Sequence, residues 1–445
     1  MLTAFVAGCT RTPPPQPAAR PDLIVLVIDA LRPDHLGSHG YARPTSPNLD
    51  RLAERGARFE HAMSAANYTT ASVPSIFTGL FPSVHGVFAE GDRLDDGFLT
   101  LAERLRDLSY ATAAFAPNPS LGRRFNFDQG FDLFDDKALH NEETIPWKKF
   151  ETAERIRKGA LSFVDGVAAE KPVFLYLHYR DVHGPYVPPP PFDRVFVDAA
   201  VESAAALSAA QREAIPEYLR LEGAPATLAH YLAQYDGEIL YTDGRIGALL
   251  EALESRGRLR HAWIVVTADH GESFLDHGVW NHGNELYQEE IHVPLILVAP
   301  QGRGRGRRIG DLVSGVDLLP TLLEAAGAPP PAGVQGRSLL PLLDGARLPR
   351  TTLFAEGRGR LAVRDGRFKL LRDADAGVWR QFDLAADPGE RVDLRASPGA
   401  PIARLQEAGR RFLAESRALA AGRPRTKVAI DADLERELRT LGYLP

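Results

Sequence analysis

The unbroken aliphatic run Leu23–Ile28, within PDLIVLVIDA and closed by Asp29, constrains this chain more than any other stretch. A run without alternation has no polar face to give to water. It therefore reads as a strand buried on both sides, the kind found at the centre of a parallel sheet covered by helices. Four further runs read the same way: YATAAFA (Tyr110–Ala116), PVFLYLH (Pro172–His178), AWIVVTAD (Ala262–Asp269) and VPLILVA (Val293–Ala299). Helical patterns lie between them. Ser46 stands as N-cap and Pro47 at the first position of one, with Leu49 and Leu52 on one face and Gly56 as its stop; longer ones cover Leu228–Arg256 and Gly315–Gly327. Strand and helix alternating over about 300 residues imply an α/β fold with right-handed crossovers and a site beyond the carboxyl ends of the strands.

After about residue 350 the texture changes. LFAEG, RLAVRDGRFKLLR and WRQFDLAADPGE are short strands separated by Asp-Gly and Pro-Gly turns, which predict a small antiparallel sheet, and an amphipathic helix over Pro401–Ala421 follows. The expected division is a leader and tether over 1–20, a catalytic domain over 21–345 and a small α+β subdomain over 346–445. With 445 residues, 44% hydrophobic and 25% charged, the chain has ordinary globular composition. A net charge of -6 without a basic stripe excludes a nucleic-acid-coating protein, and the Arg-Gly run Gly302–Arg308 reads as a solvated loop. The single cysteine, Cys9, forbids an internal disulfide. FVAGC resembles a lipobox, although Met1–Gly8 is short for a signal peptide, and the Pro-rich stretch Thr10–Arg20 suits a stiff tether. The expectation is a periplasm-facing lipoprotein of a bacterial cell envelope, held to the membrane through Cys9.

The polar residues that follow the buried runs are the candidates for chemistry. Asp29 ends one strand, Asp269 and His270 another, and His178 and His183 lie at the end of a third. Singly, such an Asp is more often a helix cap and such a His a structural one. Together, two carboxylates and an imidazole brought to one sheet edge would repel and desolvate without a cation between them. Mixed oxygen and nitrogen donors suit Zn²⁺ or Mn²⁺ better than Ca²⁺.

The chain resembles the sulfatase family of the alkaline phosphatase superfamily. The resemblance is carried by PDLIVLVIDALRPDHLGSHGYARPTSPNLDRLAERGARFEHAMS, TGLFPSVHGV, HGPYVPP, YDGEILYTDGRIGALLEAL, TADHGESFLDHGVWNHGNELYQEEIHVPLILVAP, GVDLLPTLLEAAGAPPPAGVQGRSLLPLL and AVRDGRFKLLRDADAGVWRQFDLAADPGE, and it spans roughly Pro21–Leu394. It implies a central mostly parallel sheet flanked by helices, one divalent metal held by Asp29, Asp269 and His270, and a covalent intermediate on the enzyme. His183 would contact the transferred group or protonate the leaving oxygen. His282 falls near the family's anion-binding lysine. Asn118, a candidate substrate-binding residue, lies where the family has a Lys-Trp-His segment that this chain lacks.

Two hydroxyls compete for the nucleophile. The family's Cys/Ser-x-Pro-x-Arg motif would place it at Ser72, with Pro74 matched and Ile76 in the arginine position. That register removes three residues before Thr78–Gly79 and would rotate the apolar face of the helix by ~60°. The ungapped register places Thr69 there, with Ala71 and Val73 at the Pro and Arg positions. Threonine is not the residue oxidised to formylglycine, but it acts directly in phosphodiesterases and transferases of the same superfamily. Ala30, in place of a second Asp, also lowers the ligand charge, and Asp29, Thr69, Asp269 and His270 then form a four-ligand set. The resemblance thus implies a metal-dependent ester hydrolase acting on a sulfated or phosphorylated small molecule, glycan or lipid. The departures favour a phosphate ester or diester. A formylglycine sulfatase using Ser72, a transferase to an alcohol and a non-catalytic glycan-binding lipoprotein are the alternatives.

Overall fold

The computed structural model describes residues 20–137, 152–221, 223, 225–348, 351–373, 377–396 and 402–440. Cys9 and all but the last residue of the Thr10–Arg20 tether lie outside them. The main sheet has eight strands: β1 (Leu23–Ile28), β2 (Ala57–Met63), β3 (Ala111–Phe115), β4 (Leu133–Asp135), β5 (Val173–Tyr179), β6 (Trp263–Thr267), β7 (Leu295–Val298) and β8 (Arg307–Ser314). Their order is β8-β2-β7-β6-β1-β5-β3-β4, which puts the unbroken aliphatic strand β1 near the middle with every residue buried.

β1 runs parallel to β5 and β6, with Val27 level with both His178 and Thr267. Two residues further along, Asp29 and Asp269 leave the sheet side by side, and Arg180 leaves it beside Asp29 on the other flank. Strand β7 departs from a wholly parallel expectation, since it pairs antiparallel with both β6 and β2. The Arg-Gly segment also differs from a plain loop: Arg307 and Arg308 open edge strand β8, where Arg308 pairs with Glu60 at 2.9 Å.

The helices α1 (Pro47–Arg55), α2 (Thr69–Thr78), α3 (Thr152–Asp165), α4 (Leu228–Ser255) and α5 (Leu318–Ala325) accompany the sheet. Ser46 occupies the N-cap position of α1, but its side chain does not cap the helix; Asp243 of α4 accepts from the Asn48 and Leu49 amides at 3.0 and 2.8 Å. The long connection after β5 is folded onto the body through short helical turns, with Phe196, Ile215 and Leu219 buried. Among the described residues no helix is long and apolar enough to cross a membrane.

The C-terminal sheet contains β9 (Leu353–Gly357), β10 (Arg360–Arg364), β11 (Phe368–Asp373) and β12 (Trp379–Asp383), all antiparallel in sequential order, followed by α6 (Ile402–Ala420). Phe412 of α6 stacks on Phe354 at 4.1 Å and meets Phe81 edge-on at 5.0 Å. The Glu356 amide donates to Ala65 O, and its carboxylate accepts from the Ser83 amide, both at 2.8 Å. These contacts fasten β9 to the segments flanking α2.

Candidate active site

The buried hydroxyl of Thr69 opens α2 and lies 3.1 Å from His270 Nε2. Tyr68 holds the N-cap position without a side-chain cap, so the first helical amides and the positive end of the dipole face the same pocket. Ser72 sits within α2, and its hydroxyl reaches the Thr69 carbonyl at 3.5 Å.

Asp29, Asp269 and His270 are all fully buried, and one ligand atom from each lies within 4.8 Å of the others. His270 Nε2 is 3.4 Å from Asp29 Oδ1 and 3.5 Å from Asp269 Oδ2. The other ring nitrogen, Nδ1, donates to Gly271 O at 2.8 Å, and a carbonyl can only accept. In the neutral ring Nε2 therefore turns a lone pair toward two carboxylates. Burial keeps His270 neutral by lowering its pKa, although Asp269 opposes this. Asp269 Oδ2 is buried and accepts no hydrogen bond from any described residue. A buried pocket lined by acceptors is costly unless a cation occupies it. The two carboxylates, the imidazole lone pair and the hydroxyl of Thr69 fit a divalent metal on these grounds. Burial raises the Asp29 carboxyl to about 6, against the opposing fields of His270 and Arg180, and a cation would return it to the charged form.

Ala30 adopts a left-handed conformation, φ 59°. Its carbonyl accepts from Tyr235 OH at 2.7 Å and its amide reaches Asp269 Oδ1 at 3.4 Å, so this turn couples the two carboxylates through backbone. Asn118 caps a short helical turn by accepting from the Ser120 amide, and its Nδ2 donates to Asp29 Oδ2 at 3.1 Å. Its amide is thus engaged in orienting a carboxylate. His178 lies 3.5 Å from Asp29 Oδ2 and 3.9 Å from Asp269 Oδ2, which brings it to the Asp29–Asp269–His270 cluster itself.

His282 lies against His270 with centroids 4.0 Å apart and the rings tilted by 32°, and His183 meets His282 edge-on at 5.0 Å. Burial drives the His282 pKa to about 4 and that of His183 well below the ordinary value, with the Arg180 guanidinium adding to both effects. His183 Nδ1 donates to Gly184 O at 2.7 Å. His282 Nδ1 lies 2.9 Å from Glu272 Oε1, whose other oxygen accepts from Tyr186 OH at 2.8 Å. The structure therefore brings together all seven predicted residues: Asp29, Thr69, Asn118, His183, Asp269, His270 and His282.

A family model described as sulfatase matches residues 21–328, and one described as N-sulphoglucosamine sulphohydrolase, C-terminal, matches residues 276–408. The chain belongs to the sulfatase family. Sulfatase-family proteins are ester hydrolases, and this is the class of the chain. An arylsulfatase of Clostridium perfringens is 24% identical over 84% of this chain and 90% of its own length. A multifunctional alkaline phosphatase superfamily protein of Trinickia caryophylli is 26% identical over 73% of this chain and 77% of its own. The crystal structure of the phosphonate monoester hydrolase of Agrobacterium radiobacter superposes with a TM-score of 0.73 at 22% identity, covering 93% of this chain and 99% of that one. It shares the α/β architecture, including the large mostly parallel sheet and the small C-terminal antiparallel one.

Within this sulfatase-family site, residue-by-residue reasoning missed Arg180, Glu272 and Tyr186. Arg180 follows β5 directly and Glu272 stands two residues after His270, so the strand-end rule that found Asp29 could have found both. Tyr186 had no such signal.

Proposed function

We propose that the chain hydrolyses a phosphate ester or diester in preference to a sulfate ester, through a covalent intermediate on Thr69. The supporting observation is the placement of Thr69 Oγ1, 3.1 Å from His270 Nε2 at the mouth of α2 and beside the Asp29–Asp269–His270 cluster. The departures from the sulfatase pattern at Thr69, Ala30 and Val73 point the same way. Relatives named arylsulfatase and phosphonate monoester hydrolase support weighing sulfur and phosphorus esters against each other here.

Asp29, Asp269, His270 and Thr69 would hold the divalent cation, which when bound supplies Lewis-acid polarisation and lowers the pKa of a hydroxyl. Thr69 Oγ forms a bond to phosphorus as the bond to the leaving oxygen breaks, and the hydroxyl proton passes to solvent. Arg180 and the α2 amides stabilise the negative oxygens of the transferred group, and His282 joins them once the anion draws a proton onto its Nε2. His183 protonates the leaving oxygen. In the resting site this ring is neutral, but an anionic substrate beside it favours the imidazolium, so substrate and proton arrive together. Water then attacks the Thr69 ester, releases the acid and restores the hydroxyl.

The test is the full chain assayed with added Mn²⁺, Zn²⁺ or Ca²⁺ on aryl sulfate, phosphomonoester and phosphodiester substrates. Turnover of a phosphate ester should exceed that of the sulfate, vanish in Thr69→Ala and persist in Ser72→Ala. Robust aryl-sulfate turnover that survives Thr69→Ala, or conversion of Ser72 to an aldehyde, overturns the proposal.

A further inference from the structure

The hairpin between β9 and β10 carries a guanidinium to the edge of the Thr69 pocket. Gly357, at its tip, packs so tightly that a Cβ there would stand 3.1 Å from Asn67 Oδ1 and 3.4 Å from a Leu286 methyl. The next residue, Arg358, lies over the ring of Tyr68 with its guanidinium carbon 5.0 Å from the centroid. Tyr68 immediately precedes Thr69. Arg358 Nη2 donates to Glu90 Oε2 at 2.9 Å, and Thr70 Oγ1 donates to the other Glu90 oxygen at 3.2 Å. The Arg358 charge also acts on His282, whose imidazolium form it disfavours.

Exposure sets Arg358 apart. The Glu90 side chain is 3% exposed and that of Arg358 49%, while Tyr68 and His282 are buried. A buried carboxylate and an aromatic face hold the guanidinium, while about half of the side chain, 49%, stays exposed to solvent. Among the described residues Glu90 is its one carboxylate partner. A cation fixed in this way binds a second anion with little loss of side-chain freedom, because its rotamer is already restrained.

We infer that Arg358 is a specificity-determining residue, which selects esters whose leaving group carries a second negative charge, such as a carboxylate or another ester anion. The inference rests on reading the Thr69 pocket as the site of ester cleavage. Arg358 acts at the rim and makes no contact with the reacting atoms. It pairs bidentately with the second anion of the substrate through the nitrogens that Glu90 leaves open.

The test compares two nitrophenyl esters, alike except for a ring carboxylate on one, prepared as phosphate or sulfate according to which the enzyme turns over. Wild-type protein should show a lower KM for the carboxylated ester, and added NaCl should erode that preference. Arg358→Ala should raise the KM of the carboxylated ester about tenfold, with kcat and the uncharged ester changed by less than about twofold. Arg358→Lys should recover part of the discrimination. Equal effects on the two esters, or a wild-type preference that is absent or independent of salt, overturn the inference. Thermal melts of the Ala, Lys and Gln variants separate a folding defect from lost recognition. The ratio between the two esters reports on Arg358, whereas survival of turnover in Thr69→Ala reports on the pocket, so the two readings fail separately.

Discussion

Replacing Glu272 by glutamine should disable the site without touching Thr69 or the Asp29–Asp269–His270 cluster. The carboxylate takes the His282 ring at 2.9 Å and the Tyr186 hydroxyl at 2.8 Å, one on each oxygen. Its backbone is fixed independently, with the amide donating to Glu289 O at 2.9 Å and the carbonyl accepting from Arg32 at 3.1 Å. Glutamine has nearly the same volume but offers one acceptor oxygen and one donor NH2, so with Tyr186 kept on the oxygen the His282 ring must accept through Nδ1 and is held in the other tautomer. Burial raises the Glu272 carboxyl to about 7, and above that pH a hydrogen bond to its charged form is worth about 1.5–3 kcal/mol, which corresponds to roughly a 10- to 100-fold loss in rate when the bond orients a group that acts on the substrate. Glu272 is a positioning residue, so the loss should fall on kcat/KM while metal content stays at the wild-type level. It should also be non-additive with His282→Ala, because both changes remove the same function. The assay is steady-state kinetics of the two single variants and the double, with metal content and melting temperature measured on each. Full activity in Glu272→Gln, or fully additive losses in the double variant, would refute the reasoning.

Lys369 and Glu390 form a fully buried ion pair at 2.8 Å. Glu390→Gln should destabilise the protein by about 3–5 kcal/mol, and the paired change Lys369→Met with Glu390→Leu should regain most of it in a denaturant titration. Burial raises the Glu356 carboxyl from 4.5 to about 7, so the neutral acid is favoured in the folded state. Its contribution to stability is fully present below about pH 4.5 and is lost as pH rises through about 7. Glu356→Gln should therefore melt with a smaller pH dependence between pH 5 and 8, on the order of 3 kcal/mol less across that window, and an unchanged slope would contradict the shift.

Much of the fold could be read from runs such as Leu23–Ile28, since a segment with no polar face has few places to go in a soluble protein. The direction of a strand is another matter. Leu295–Val298 is as apolar as its parallel neighbours, and the return of the chain through residues 268–294 makes it antiparallel to the strand before it. The metal cluster was legible because Asp29, Asp269 and His270 follow buried runs directly, and a parallel register carries such residues to a common edge. The spacing to Thr78–Gly79 pointed to Thr69, and the fold sets its hydroxyl 3.1 Å from His270. Asn118 was read as a substrate residue, and its side chain also holds Asp29 at 3.1 Å, a contact with no signal in the sequence. Ser46 was expected to cap α1, yet Asp243 supplies the acceptor from a distant helix. Arg358 left no trace in the pattern, because it meets Tyr68 and Glu90 through the docking of a separate sheet. Contacts of that kind are set by the packing of distant segments and have no local signature.

The central claim is that Thr69 carries the transferred group. The most direct measurement is to quench the metal-supplemented enzyme in acid during turnover of a phosphate ester and to map the modified peptide by mass spectrometry. The account predicts a phosphoryl group on Thr69 that is absent from Thr69→Ala and present in Ser72→Ala. A phosphoryl or sulfuryl group on residue 72, or turnover by Thr69→Ala at the wild-type rate, would contradict it.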